Sequence, residues 1–469
     1  MRLMIDWKNE AKKYEKDYLA DLKDLVAIDS SRDIEHSTDD FPLGPGPAKA
    51  LEKFLAIAKR DGFVTKNIDN IVGYIEFGTG DKYFAMLGHA DTVPAGKGWD
   101  TNPFQMTIED GNVVGRGTSD DKGPALAAYY GLKMLKDNNI VPNLKIRLII
   151  GTDEETNWTG MKRYFEVEPA PELGFSPDAE FPLINGEKGN VTFETEFKGQ
   201  ELPGKNTLIS FNSGIKENMV PRDAEAIIDT KNGKQIASDF EKFLLSVPVT
   251  GTYEINGQQL KLEMVGKAAH GMEPKNGINA GTYLASFLHQ YELDESGENF
   301  IGFIADKLQD DSRANKLGLK YTDDIMGDLT MNVGIMRYDV QDGGMVNTNF
   351  RYPKGVTVEK IQQQLQDNTA YYGGRVELID DMVPNFVSPT DPLVTTLMNI
   401  YKSQTDQQAA EPEVVGGGTY ARMMKHGVAF GALFPGAEDT MHQANEFQSI
   451  NDLLLAMSIY GQSIFELTK

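Results

Sequence analysis

No cysteine occurs among the 469 residues, which excludes disulfides, thiolate metal ligands and a cysteine nucleophile, and fits a reducing, cytoplasmic setting. Positive charge is also short. With 46 Lys and Arg against 70 Asp and Glu, the formal net charge is -24, which disfavours nucleic acid and anionic membranes as partners but admits cationic amino groups on a small substrate. Long apolar runs are missing. The amino terminus, Met1-Arg2-Leu3-Met4-Ile5-Asp6, returns to charge before a leader-type apolar region develops, and no later run approaches membrane-spanning length. A soluble, unprocessed protein is expected, whose chemistry must use oxygen and nitrogen groups.

The length exceeds what one hydrophobic core usually serves, so two domains are expected. Trp7, Tyr14, Tyr18, Leu22 and Leu25 lie at three-, four- and seven-residue spacing, which reads as one amphipathic helix reaching to about Ile28. From there to about Gly186, short apolar runs (Val72 to Phe77, Tyr83 to Leu87, Lys145 to Ile150) alternate with helical stretches such as Pro124 to Lys136, the pattern of a doubly wound α/β sheet. Between Glu187 and Met382 alternating strands (Thr192 to Phe197, Ala224 to Asp229, Thr330 to Met336, Val346 to Tyr352) are interleaved with helices, which predicts a separate α+β domain of ferredoxin-like character. The prolines of Val383 to Pro392 break regular structure. Helix Leu393 to Ser403 and strand Val428 to Phe434 then resume the first texture. The expected architecture is a mixed α/β catalytic domain, residues 1–186 and 383–469, with an α+β lid domain, 187–382, inserted in it.

Ligand-type residues stand at the ends of several of these runs. In Gly88-His89-Ala90-Asp91, an imidazole suits a metal and a nearby carboxylate can hold its other N–H. A His capping a strand beside a turn Asp is the alternative. In Gly115-Arg116-Gly117-Thr118-Ser119-Asp120-Asp121-Lys122-Gly123, the glycines permit a tight turn from which Asp120 could bridge two cations about 3.5–4 Å apart. Asp121 is expected at a helix amino terminus, where a carboxylate favours the macrodipole. Gly151-Thr152-Asp153-Glu154-Glu155 directly follows the apolar run ending at Ile150, so one acid can bind metal while another acts as base. A solvated acidic loop is the plainer reading of that triplet.

Together with Ser176-Pro177-Asp178 and His442-Gln443-Ala444-Asn445-Glu446, these segments resemble the M20 family of metallopeptidases, most closely its PepV-type bacterial dipeptidases, across essentially the whole chain. Thr92, where the family often has Val, is a slight departure. The resemblance implies two divalent cations per chain, Zn foremost with Mn or Co as alternatives. One would be held by His89, Asp120 and Asp178, and the other by Asp120, Glu155 and His442. It further implies Glu154 as general base toward a metal-activated water, Asp91 orienting His89, and a cis Asp120-Asp121 peptide. His270, in Lys267 to Pro274, matches the residue that donates to the oxyanion. Arg351 matches the clamp on the substrate's terminal carboxylate, assisted by Asn218. Gly416, Gly417 and Thr419 in the first domain would open a helix whose N–H groups bind the same carboxylate, a close-packed turn being the alternative reading of the glycines. His36, His289 and His426 match no motif.

The expected function is hydrolysis of unblocked dipeptides, β-alanyl ones such as carnosine among the candidates. An N-acyl-amino-acid deacylase is the nearest alternative, and a non-catalytic peptide- or metal-binding relative the other. Retention of Glu154 beside a full ligand set argues against a mere binding module. By the same resemblance the long insert implies a monomer, in which His270 serves its own chain.

Overall fold

The computed structural model describes residues 5–199 and 205–469; residues 1–4, part of the amino terminus read above for leader character, lie outside the described residues. By contacts the chain divides into two compact units. The first comprises the chain through Gly186 together with Phe386–Val414 and Gly418–Lys469, and the second comprises Glu187–Asn385 and Val415–Gly417. No helix among the described residues is long and apolar enough to cross a membrane.

The first unit is built on a mixed sheet. Strand Tyr83–His89 runs parallel to Lys145–Gly151 on one side and to Leu173–Ser176 on the other, and Gly427–Ala429 is parallel to Leu173–Ser176. Val72–Phe77 and Val64–Ile68 extend the Lys145–Gly151 side in antiparallel fashion. All seven residues of Tyr83–His89 are buried, as suits a parallel strand covered on both faces. Helix Lys122–Asp137 is buried around nearly its whole circumference, so it reads as apolar without a clean stripe. A Cβ on its Gly131 would stand 2.9 Å from the backbone nitrogen of Gly461 in helix Ile450–Thr468. Two glycines therefore let these helices cross closely, and their side chains join one core with Leu51, Phe54, Met86 and Leu148.

The second unit is an antiparallel α+β assembly, as expected. Among the described residues its sheet has eight strands, from Thr250–Asn256 at one edge to Arg375–Met382 at the other, more than the four of a simple ferredoxin-like motif. Helices Gly233–Leu244, Ala280–Leu288 and Val358–Thr369 supply Ile236, Phe240, Leu284, Phe287, Ile361 and Leu365 to a core of its own.

Three expectations are corrected. The single amino-terminal helix is two, Trp7–Lys12 and Glu15–Val26. The strand expected at Val428 to Phe434 is split into Gly427–Ala429 and Ala432–Leu433, the latter pairing with Ala179–Glu180. The Gly416-Gly417-Gly418-Thr419 segment does not open an α-helix. It follows strand Glu413–Val415 and precedes a 3-10 turn of four residues, Tyr420–Met423, and Gly416 and Gly417 group with the second unit rather than the first.

Candidate metal and catalytic centre

Three parallel strands deliver the first donors. His89 ends strand Tyr83–His89, Asp153-Glu154-Glu155 follows Lys145–Gly151, and Asp178 follows Leu173–Ser176. These side chains therefore emerge at the same carboxyl edge of the sheet, where open α/β proteins collect their ligands. Asp120 comes from the turn before helix Lys122–Asp137, and His442 from the turn before strand Phe447–Ser449. Phe447–Ser449 pairs with Asn112–Val114, which brings the two turns together although 322 residues separate the two side chains in the numbering.

The bridging geometry centres on Asp120. Its Oδ1 lies 3.0 Å from His89 Nε2 and its Oδ2 2.9 Å from His442 Nε2. Asp178 Oδ2 stands 3.6 Å from His89 Nε2, and Glu155 Oε2 3.0 Å from His442 Nε2. Each imidazole thus faces one oxygen of the shared Asp120 and one further carboxylate. Glu154 also belongs to the His89 side: donor atoms of His89, Glu154 and Asp178 lie within 4.8 Å of one another, as do those of His89, Asp120 and Glu155.

Neighbouring groups fix these donors. His89 Nδ1 is 3.0 Å from the Asp91 carbonyl oxygen and 3.3 Å from Asp91 Oδ1. A carbonyl acceptor at Nδ1 requires an N–H there, which leaves the Nε2 lone pair for a cation. The sequence suggested the Asp91 carboxylate for this task, whereas the nearer partner is its main-chain carbonyl. The Asp91 carboxylate also accepts the Glu155 N–H, at Oδ2, 3.2 Å away. Asp121 is the helix N-cap residue, but it makes no side-chain cap hydrogen bond; its Oδ2 accepts the His89 N–H at 3.0 Å. A Cβ on Gly88 would come within 2.8 Å of that oxygen, so only glycine permits this approach. The Asp120-Asp121 peptide is cis, as expected. Trp158 Nε1 donates to the Glu154 carbonyl at 2.7 Å, tethering the backbone of that residue.

The donor set carries surplus negative charge. Burial and the neighbouring Asp120 carboxylate push Asp178 up to about 7, and burial with Asp178 raises Glu154 well above the usual carboxylate range. Hydrogen bonds to Asp120 and Glu155 raise His442 to about 11. Packed carboxylates that resist ionisation together, and imidazoles drawn toward positive charge, mark a place suited to cations. All donors are nitrogen or oxygen, a set that fits Zn, Mn or Co.

In the second unit, the Met272 N–H donates to His270 Nδ1 at 3.1 Å, and the Gly271 N–H to the Asn218 carbonyl at 2.7 Å. Arg351 is buried in strand Gly343–Tyr352, and its Nη1 donates to the Gly416 carbonyl at 2.9 Å. Gly416 therefore offers Arg351 an acceptor. Thr419 uses its Oγ1 to accept the Ala421 N–H at 3.1 Å.

A family model described as "Peptidase family M20/M25/M40" matches residues 85–466. The chain belongs to this peptidase family. A Staphylococcus aureus (strain MW2) protein named "Putative dipeptidase" is 43% identical over 466 residues, covering 98% of this chain and 99% of that protein. One from S. aureus strain bovine RF122 with the same name is 43% identical over 465 residues, again covering 98% and 99%. Among solved structures, human carnosine dipeptidase 1 is similar with a TM-score of 0.55 at 15% identity, 98% of each chain being covered. Aminoacylhistidine dipeptidase from Vibrio alginolyticus gives a TM-score of 0.56 at 13% identity over 96% of each chain. At these identities the structures speak to the fold alone, over nearly the full length of both chains. The M20 chain is a peptide hydrolase.

Two residues of this M20 peptidase escaped assignment from sequence, Arg116 and Glu446, whose side chains meet across 330 residues of numbering. The signal was present, since both lie inside the motifs quoted for the metal ligands, but no spacing rule pairs them. His270 yields a direct expectation. An N–H donated to Nδ1 places its ring proton on Nε2, while burial and then the nearby positive Arg351 lower its pKa below the ordinary 6.5. Its folded-state pKa being depressed, this group's contribution to stability is present in full above 6.5 and is lost as pH falls through the lowered value. Long-range 15N–1H spectra of the native protein should show a neutral Nε2–H imidazole at pH 7; a ring protonated at Nδ1 instead would contradict this assignment.

Proposed function

We propose that this M20 peptidase is a dipeptidase that depends on two divalent cations and cleaves dipeptides with free termini, working as a monomer in the cytoplasm. The observation that carries the proposal is the Asp120 carboxylate, with one oxygen toward His89 and the other toward His442. His89, Asp120 and Asp178 would hold one cation, and Asp120, Glu155 and His442 the other. When bound, such a pair supplies Lewis acidity to a water and to the scissile carbonyl.

The chain's own groups do the rest. Asp91 keeps the His89 ring turned so that Nε2 faces the cluster. Glu154, whose carboxylate stands beside His89 and Asp178, takes the proton from the attacking water and returns it to the departing amine. His270, neutral with its proton on Nε2, donates to the oxygen that becomes negative in the tetrahedral intermediate. Arg351 pairs with the substrate's carboxyl terminus, for which a planar two-pronged cation is suited. Asn218 and the Gly416-Gly417-Thr419 stretch line that end of the substrate. The named relatives at 43% identity support dipeptides as substrates.

Metal-free protein reconstituted with Zn2+, Mn2+ or Co2+ and offered free dipeptides (β-alanyl ones included), N-acetylated dipeptides, tripeptides and acyl-amino acids tests this. Cleavage confined to free dipeptides and dependent on added cation is the expected result. Preferential hydrolysis of acyl-amino acids would move the assignment to an amidohydrolase, and full activity in chelator would remove the cations from it.

A further inference from the structure

Glu446 stands four residues after His442 and is completely buried. Its Oε1 accepts the backbone N–H groups of Ser119 at 2.8 Å, Asp120 at 3.1 Å and Gly117 at 3.1 Å. Its Oε2 accepts the Gly117 N–H at 3.1 Å and pairs with Arg116 Nη1 at 2.7 Å. Its main-chain carbonyl receives the Gly115 N–H at 2.9 Å. The turn that presents Asp120 is thus an anion-binding concavity of N–H groups from Gly117, Ser119 and Asp120, filled by a carboxylate of the chain itself. Arg116 is equally buried, with its guanidinium 5.2 Å from the Trp99 ring centroid.

The same segment is pinned at a second point. Asn445 Oδ1 accepts the Asp100 N–H and its Nδ2 donates to Asp100 Oδ2, each at 2.9 Å. His442 and Asn445 have φ of 64° and 60°, a left-handed conformation that Asn and His adopt more readily than most non-glycine residues. One short stretch therefore carries a donor, His442, and the anchor that orients the backbone of another, Asp120.

We infer that Glu446, braced by Arg116, is a positioning residue that sets the spacing between Asp120 and His442 and so tunes the cation those two share with Glu155. This rests on the two-cation reading above. Glu446 does not reach the reacting atoms; it acts through the direction in which the Asp120 Cα–Cβ bond leaves the turn. Removing its charge or shortening it should disturb the His442 side of Asp120 more than the His89 side, because His89 is held separately by Asp91 and Asp121. Outer-shell groups of this kind typically change metal affinity or activity by about 10–100-fold.

The test uses the metal-free full chain titrated calorimetrically with Mn2+ or Zn2+, with elemental analysis of bound cation at fixed free concentration. In Glu446→Gln, one cation should bind with wild-type affinity and the other about 10–100-fold more weakly. Excess cation should restore turnover with KM unchanged, which a merely structural defect would not allow. Should Glu446→Gln fail to fold, Glu446→Asp, which keeps the charge but retracts it from the N–H groups, is judged by the same criteria. Two cations bound with unchanged affinity in a folded variant overturn the role of Glu446 alone, as does equal weakening of both. A wild-type protein that takes up only one cation overturns the two-cation reading itself, whatever the variants do.

Discussion

Glu154→Gln is expected to leave the fold and both cations in place while turnover falls by about 10²–10⁴, the range for a positioned proton transfer. The amide keeps the size of the side chain and can still accept a hydrogen bond, but it cannot take a proton from water. The experiment also separates a base from a ligand. Glu154 lies close enough to His89 and Asp178 to serve as a ligand, and were that its function, the amide would release cation in proportion to lost activity. Full cation content with collapsed turnover identifies the base. Near-normal turnover at full cation content removes Glu154 from the mechanism.

Arg351→Ala should be almost as damaging. The guanidinium is buried, and truncating one partner of a buried charged hydrogen-bonded pair costs about 2–5 kcal/mol, so kcat/KM for a free dipeptide should fall by about two orders of magnitude or more. Amidating the substrate's carboxyl terminus removes the other partner. If the two groups meet, the losses are similar and do not add in the double change. Equal cleavage of amidated and free dipeptides by the wild type would refute the assignment, since Arg351 would then have no charge to recognise.

What could be read from sequence followed the local character of each signal. His89, the Asp153 to Glu155 triplet and Asp178 each close an apolar run, and parallel pairing of those runs places them on one sheet edge. The motifs at Asp120 and His442 were legible as motifs, but their juxtaposition depends on pairing between Asn112–Val114 and Phe447–Ser449, which local pattern cannot supply. The Arg116 and Glu446 contact hides for the same reason. The Gly416 to Thr419 segment misled because Thr419 is a genuine N-cap, with its Oγ1 on the Ala421 N–H; the signal marks the start of a turn without fixing its length. The amino-terminal stripe from Trp7 to Leu25 continues in sequence across the break between Lys12 and Glu15, where neither glycine nor proline announces it.

The late arrival of Glu446 bears on how the protein is made. The turn bearing Asp120 leaves the ribosome more than 300 residues before its internal anion does, an interval on the order of tens of seconds at usual synthesis rates. Helix Lys122–Asp137 waits equally long for helix Ile450–Thr468, the partner its glycine-lined surface fits. During translation the first unit is therefore an incomplete body with bare N–H donors and uncovered apolar surface, while the second, nearly all of it encoded in between, already has every strand of its sheet. The order of completion is inverted relative to the order of the genetic message: the unit begun first is finished last, and a chain that terminates a few dozen residues early loses His442, Glu446 and the closure of its core in the same stroke.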